Sequence, residues 1–176
     1  ATGVHLSPKA TAAAKNLSKE IAVHATFIES NILTLENHLE DQFDIIFTSY
    51  GTICWWHDLN EWSRIINRFL KPGGIFYFAE FHSEIDMFDW GNYQFTYPYF
   101  DRRKAFEEVE EGAYADRNAP IKMKEYFWLR SLSEIMTPLL QQNLQLLEFR
   151  NIQKIIPPFE QDFLLLLSTF EPVIIF

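Results

Sequence analysis

Two places in the chain, a short run at 54–58 and the single residue His82, carry side chains that could take part in chemistry. Residues 54–58, with the letters CWWHD, bring together a thiol, two indoles, an imidazole and a carboxylate. His82 comes directly after the apolar segment 75–81. Because histidine changes its charge near neutral pH, His82 is a candidate base or hydrogen-bond partner for a substrate. The alternative is a histidine with a structural role only.

The remaining side chains of the first run have simpler explanations. Asp58 with Glu61 three residues later forms a capping box, which makes Asp58 a helix N-cap. Nothing else in the sequence indicates a covalent intermediate on Cys54. Trp55 and Trp56 stay as candidates for the wall of a substrate pocket. No His, Cys and carboxylate spacing is typical of a metal site, so we expect no metal.

An aromatic run lies inside residues 82–130, where hydrophobic periodicity is lost. Ring residues alternate with other types at Trp90, Tyr93, Phe95, Tyr97, Tyr99 and Phe100. Such alternation is typical of a half-buried strand, but it also suits a lid that presents Tyr97 and Tyr99 to a substrate. Long aperiodic stretches in compact domains are often functional. We therefore predict a single domain over 1–176, with 82–130 as a lid or substrate-binding insertion.

Alternating strand and helix signals must position these residues. Helices are predicted after the N-caps Ser7 and Asp58, and a third, kinked by Pro138, after Ser131. The turn KPGG at 71–74 ends the second helix. Strands are predicted at 1–6, 23–28, 43–50, 75–81, 144–156 and 163–170. This order is typical of an α/β domain.

The composition excludes several classes of partner. A net charge of −9 argues against nucleic acid, because phosphate binding needs clustered Lys and Arg. No apolar run reaches the roughly 18 residues that a membrane span requires. Cys54 is the only cysteine, which suits a reducing cytoplasm. We expect a cytoplasmic protein with a small-molecule partner.

Four stretches, in this order, resemble the class I S-adenosylmethionine-dependent methyltransferases. Residues 1–8 (ATGVHLSP) are similar to the family's second strand and following helix, and 27–32 (FIESNI) to its third strand and adenine loop. Residues 43–51 (FDIIFTSYG) are similar to its fourth strand, and 70–74 (LKPGG) to the turn into the fifth. The resemblance implies a Rossmann-like fold, a mainly parallel twisted sheet with helices on both faces. Residues 163–170 would form its antiparallel last strand.

The resemblance also implies a cofactor, S-adenosylmethionine, bound beyond the carboxyl ends of the strands. His5 and Leu6 would lie at the ribose, and Asn31 and Ile32 at the adenine. The residues implied at the methionine group and the transferred methyl are Ser49, Tyr50 and Gly51. His82 would then face the methyl acceptor.

Two features depart from the family pattern. The family's G-x-G-x-G loop is absent, because no two of the six glycines are separated by one residue. That loop follows the family's first, central strand, so we expect the first strand and helix to be missing or the gap to be filled by something else. His5 also stands where the family has Asp or Glu, which would weaken ribose binding by about 1–3 kcal/mol if a hydroxyl is badly paired.

Two functions follow from these observations. The first is methyl transfer to a small-molecule acceptor by in-line displacement. The second is a catalytically inactive, methyltransferase-like binding or scaffolding protein, which His5 and the absent loop favour. A nicotinamide-dependent oxidoreductase ranks last, because it needs its own glycine-rich loop. A sheet without its middle strand would expose apolar edges, so we also expect a homo-oligomer.

Overall fold

The computed structural model of the chain describes residues 1–88, 94–100, 104–112 and 118–150, and the backbone of 172–175. Three α-helices lie in this part of the chain: α1 (Pro8–Glu20), α2 (Leu59–Phe69) and α3 (Leu132–Gln141). Short 3-10 helices cover Ile32–Asn37, Ile53–Trp55 and Ile85–Met87. The strands are β1 (Thr2–His5), β2 (Thr26–Glu29), β3 (Phe43–Thr48), β4 (Leu70–Phe78), β5 (Phe106–Glu111), β6 (Lys122–Phe127) and β7 (Pro172–Ile175).

Five of the strands form a parallel sheet in the order β2-β1-β7-β3-β4. Helices connect β1 to β2 and β3 to β4, as a parallel sheet requires. The structure thus confirms the α/β, Rossmann-like and mainly parallel prediction. In this sheet the carboxyl ends of all five strands lie at one edge, where ligands bind in open α/β folds.

The centre of the sheet is filled by β7, the strand nearest the C-terminus. Ile174 pairs with Gly3 of β1 on one side and with Phe47 of β3 on the other. The gap expected from the missing first strand is therefore not open in this structure. The last strand that the structure describes, β7, is parallel and central. The predicted strand at 163–170 lies outside the described residues, and 144–150, part of the strand predicted at 144–156, has no regular structure.

The helix N-caps follow the sequence closely. Ser7 accepts a hydrogen bond from the Ala10 N–H, and Asp58 accepts from the N–H groups of Asn60 and Glu61. Ser131 and Glu134 form a complete capping box at α3, and Pro138 lies inside that helix. These interactions satisfy N–H groups that the first helical turn leaves without partners.

The turn at 71–74 requires its second glycine. A Cβ at Gly74 would lie 2.9 Å from the carbonyl oxygen of Asp44, on the neighbouring strand β3. Gly73 has a φ of 79°, which favours glycine. The chain can therefore pass from α2 directly into β4, which begins at Leu70 and ends at Phe78, three residues before the predicted end.

The core lies between α2 and the β3–β4 part of the sheet. Trp62 is fully buried, and its ring contacts Trp56, Phe76 and Phe78. Around it are the other large buried side chains, which include Ile46, Ile65, Ile66, Phe69, Ile135 and Leu139. This cluster fixes the positions of β3 and β4 and, with them, the loops that follow these two strands.

Several apolar side chains outside this core are exposed among the described residues. Along β4, Ile75 and Tyr77 are exposed, whereas the alternating Phe76 and Phe78 pack against the core. Leu17 of α1 and Ile21, the residue that follows Glu20, are 55% and 51% exposed. Among the described residues, no helix has the length and apolar character to cross a membrane.

Part of the predicted insertion forms a second, two-stranded antiparallel sheet. In this sheet β5 and β6 pair in register from Phe106↔Phe127 to Glu111↔Lys122. One face carries the ion pairs Lys122–Glu111 and Lys124–Glu107. The other packs Phe106 and Phe127 against the ring of Tyr97. In its described part, the segment 82–130 thus contains a small sheet of its own.

Candidate functional site

The candidate site begins at the carboxyl end of β1, where His5 is held by a local hydrogen bond. The Ser7 N–H donates to His5 Nδ1 at 2.8 Å. A neutral imidazole that accepts at Nδ1 carries its proton on Nε2. His5 can therefore offer one hydrogen-bond donor to a ligand, whereas a carboxylate would offer two acceptors. Leu6, the next residue, is exposed.

The end of β2 lies beside His5 and carries the predicted adenine residues. The Ser30 N–H donates to the His5 carbonyl oxygen at 3.2 Å, which joins the two strand ends. Asn31 caps the 3-10 helix Ile32–Asn37, with its Oδ1 accepting from the Leu33 N–H at 3.0 Å. Its amide NH₂ remains as a donor at an exposed position. Ile32 is only 5% exposed and belongs mainly to the core.

The loop after β3 holds the three residues predicted at the cofactor's reactive end. Ser49 is buried and Tyr50 is exposed, with the Tyr50 ring 5.7 Å from that of Phe81. Gly51 has a φ of 70°, in the left-handed region, where the chain changes direction. Any residue with a Cβ would be strained at this position. The Ser49 carbonyl oxygen accepts from the Thr52 hydroxyl at 2.8 Å. The loop is therefore a tight turn and not an extended strand end.

Glu80, just past β4, holds this turn through its carboxylate. Oε1 accepts from the N–H groups of Gly51, at 2.5 Å, and Phe81, at 2.9 Å; Oε2 accepts from those of Thr52 and Ile53, at 3.1 and 3.2 Å. Burial raises the pKa of the Glu80 carboxyl, and these four N–H groups oppose that shift. The sequence prediction did not select Glu80. The one available signal was a carboxylate at the end of an apolar strand.

The two predicted substrate tryptophans have different environments. The Trp55 side chain is 50% exposed, and Trp56 is partly buried with its ring 5.4 Å from that of Trp62. Cys54 lies between the turn and Trp55, and burial raises the pKa of its thiol to about 12. Since the thiolate is the reactive form, Cys54 is a poor nucleophile at neutral pH.

The predicted insertion is attached to the same loop by one backbone hydrogen bond and two side-chain hydrogen bonds. The Trp128 N–H donates to the Cys54 carbonyl oxygen at 2.8 Å. Arg130 donates from Nη2 to the carbonyl oxygens of Trp56 and His57, both at 3.0 Å. Burial lowers the pKa of Arg130. The end of β6 thus lies against the loop, and neither Trp128 nor Arg130 was selected from the sequence as an anchor.

The two tyrosines predicted to present their rings to a substrate have hydroxyl partners within the protein. The Tyr97 hydroxyl donates to Glu108 of β5, and Tyr99 Oη accepts from the Leu132 N–H at 3.2 Å, at the start of α3. His82 is partly buried, with its Nδ1 3.4 Å from the Glu84 N–H. In the described part of the chain, no group of three or more His, Cys, Asp and Glu side chains is arranged to hold a metal ion.

Comparison with known proteins gives one family and a set of similar folds. Residues 1–78 match the family described as "Methyltransferase domain". An S-adenosylmethionine-dependent methyltransferase from Clostridium acetobutylicum is 19% identical, with a TM-score of 0.60, over 84% of this chain and 65% of its own. The PH0226 protein from Pyrococcus horikoshii is 18% identical, with a TM-score of 0.58, over 80% of this chain and 60% of its own. Among curated proteins no significant match is found.

These similarities cover the residues of the candidate site unequally. The family match includes the ends of β1, β2 and β3 and stops at Phe78, before Glu80 and the insertion. The chain spans less than two thirds of the length of the two solved structures. At 18–19% identity, those structures are evidence for the fold of the chain.

Proposed function

We propose that this chain, whose residues 1–78 match the family described as "Methyltransferase domain", is a class I S-adenosylmethionine-dependent methyltransferase that transfers a methyl group to a small-molecule acceptor. The observation that carries the proposal is the position of the family-matched strand ends. His5, Asn31 and the turn at 49–51 lie at one edge of a parallel sheet, the edge where such folds bind nucleotides. The acceptor would approach from the side of Trp55 and the insertion.

S-adenosylmethionine is the cofactor, and the donors at two strand ends fit its adenosine half. His5 carries a proton on Nε2, which a ribose hydroxyl can accept, and the Asn31 NH₂ group can donate to an adenine ring nitrogen. Ile32 would contribute an apolar edge to the adenine pocket. No glycine-rich loop for the methionine group is present in the sequence. The donors at these two strand ends therefore account for the adenosine half of the cofactor.

The chain's own residues would mainly orient the reactants. When bound, the cofactor supplies a methyl group on a positively charged sulfur, so its transfer needs alignment more than acid–base chemistry. Ser49, Tyr50 and Gly51 would border the sulfur and the methyl group. Attachment of the insertion to the same loop would exclude water from that side.

For the acceptor side, we propose His82 as the base or hydrogen-bond partner. Trp55 offers an exposed indole for a substrate wall, and Trp56 would contribute one edge of its ring. Tyr97 and Tyr99 would line the pocket with ring faces, since their hydroxyls bond elsewhere. We further propose a cytoplasmic location, supported by the lone cysteine, and leave homo-oligomer formation as a prediction.

The second candidate is a catalytically inactive binding protein that keeps the fold. It is favoured by His5 in place of the family's carboxylate and by the sheet centre held by β7. Such a protein would bind S-adenosylhomocysteine weakly, or not at all, and would transfer no methyl group.

Thermal melting with and without S-adenosylhomocysteine tests the proposal. A ligand at 100 times its dissociation constant stabilises a protein by about 2.7 kcal/mol, which for this length is roughly 5–10 °C. His5→Ala should weaken binding about fivefold, because one hydrogen bond is lost. His24→Ala, at an exposed position in the α1–β2 turn, is the matched control. No shift for the wild type, or equal binding by the His5→Ala variant, would contradict the proposed site.

A further inference from the structure

We infer that Glu80 is a positioning residue, which holds residues 51–53 in the conformation that receives the reacting end of the cofactor. This inference rests on the proposed function, because it assigns a role in that same site. It concerns a side chain that lies beyond the family-matched residues 1–78.

The geometry of the Glu80 carboxylate carries the inference. Each of its oxygens accepts two backbone N–H groups, and three of the four donors are the consecutive residues Gly51, Thr52 and Ile53. Consecutive N–H groups converge on one point only when the backbone turns sharply, which the φ of 70° at Gly51 allows. The carboxylate therefore fixes the shape of the turn, and not merely its distance from β4.

The surroundings of Glu80 indicate that its negative charge stabilises the turn at residues 51–53. Among the described residues, no Lys or Arg forms an ion pair with Glu80, so the backbone N–H dipoles are its partners. Burial raises the pKa of the Glu80 carboxyl, which shows that keeping the charge there is costly. Costly, half-buried charges are typical of functional sites.

The turn connects two surfaces that the proposed reaction needs. On one side, Ser49 and Tyr50 lead from β3 to the position proposed for the sulfur. On the other, Cys54 accepts the hydrogen bond from Trp128 that attaches the insertion. Displacing residues 51–53 would therefore move both the cofactor contacts and the side from which an acceptor would enter.

Substitution of Glu80 by Gln and Asp tests the inference. In Glu80→Gln one oxygen becomes an NH₂ group, which places donors against two of the four N–H groups. Glu80→Asp keeps the charge but is one methylene shorter, so it should restore part of the effect. Glu40→Gln, at an exposed site distant in sequence, is the control for loss of one charge.

Two readouts separate positioning from a merely structural role. Amide hydrogen exchange at residues 51–53 should rise at least about tenfold in Glu80→Gln, while exchange in β3 stays slow. The dissociation constant for S-adenosylhomocysteine should rise about tenfold in Glu80→Gln, less in Glu80→Asp, and not in Glu40→Gln. This pattern would support the inference.

Three results would overturn it. Unchanged exchange at 51–53 in both Glu80 variants would mean that the carboxylate does not hold the turn. Faster exchange with unchanged affinity would reduce Glu80 to a structural residue. A wild-type chain that binds no S-adenosylhomocysteine would remove the proposed function, and the exchange data would then show separately whether Glu80 holds the turn. If Glu80→Gln fails to fold, the same comparison is made with Glu80→Asp.

Discussion

The two halves of the main sheet differ in how they are supported. The β3–β4 half lies under α2, and α2 in turn contacts α3, around a fully buried Trp62. In the β1–β2 half, Val4 is the buried apolar side chain among the described strand residues, and α1 leaves Leu17 exposed. The residues proposed to contact the cofactor's sulfur and methyl group thus lie on the well-packed half of the sheet. The residues proposed to contact its ribose and adenine lie on the half with fewer buried apolar side chains among the described residues.

The relative position of the two halves depends on the strand between them. In the structure, β7 pairs with both β1 and β3, and no direct pairing joins β1 to β3. The position of His5 relative to Gly51 therefore depends on β7. A ligand that contacts both halves would add a second connection between them, so the β1–β2 half should gain more order on binding.

We expect the largest loss of stability from a substitution in the core of the β3–β4 half. Trp62→Ala removes a fully buried ring and should lower the free energy of unfolding by about 3–5 kcal/mol. Leu17→Ala, on the exposed side of α1, should cost less than about 1 kcal/mol. Urea denaturation of both variants checks this. Similar losses from the two substitutions would mean that the halves are equally well packed.

A substitution in β7 tests whether this strand connects the β1–β2 half of the sheet to the β3–β4 half. Ile174→Pro removes a backbone N–H in the central strand and should cost about 3 kcal/mol. Glu29→Pro is the matched control on the edge strand β2: the N–H groups of Thr26 and Ser30 point to β1, so that of Glu29 points away. Thermal unfolding should show a large loss for the first variant and a small loss for the second. A harmless Ile174→Pro would contradict the central position of β7.

A third prediction concerns the reactivity of the Cys54 thiol, which lies in the loop after β3. Because burial raises the pKa of Cys54 to about 12, almost no thiolate is present at pH 8. We expect alkylation by iodoacetamide at pH 8 to be far slower in the native protein than in urea, as mass spectrometry can measure. The native rate should rise with pH up to about 12. Fast labelling of the native protein at pH 8 would show that the loop around Cys54 is open.

The sequence predicted those elements that depend on local signals. Ser7, Asp58 and the Ser131–Glu134 pair cap their helices as expected, because capping is decided within four residues. α2 ends at Phe69, directly before the KPGG run, as predicted, but the structure places that run at the start of β4, where Gly73 has a positive φ and Gly74 leaves no space for a Cβ. The strand predicted at 43–50 is present as β3 (Phe43–Thr48) and ends two residues before its predicted end.

Interactions between distant residues were not predictable in the same way. The pairing of β7 with β1 joins residues about 170 positions apart in the sequence, and no short-range pattern specifies it. Glu80 was missed because its partners are 27 to 29 residues away, apart from the neighbouring Phe81. Arg130 was missed because its acceptors are the backbone carbonyls of Trp56 and His57.

The most direct test of the account is to map the amide NMR signals that change when S-adenosylhomocysteine is added to ¹⁵N-labelled protein. Because we propose that one ligand contacts both halves, changes should concentrate at residues 5–7, 29–32 and 49–53. The signals of 5–7 and 29–32 should also sharpen as the β1–β2 half becomes ordered. No change at saturating ligand, or changes confined to the open pocket beside Lys15, Lys19 and His24, would contradict the account.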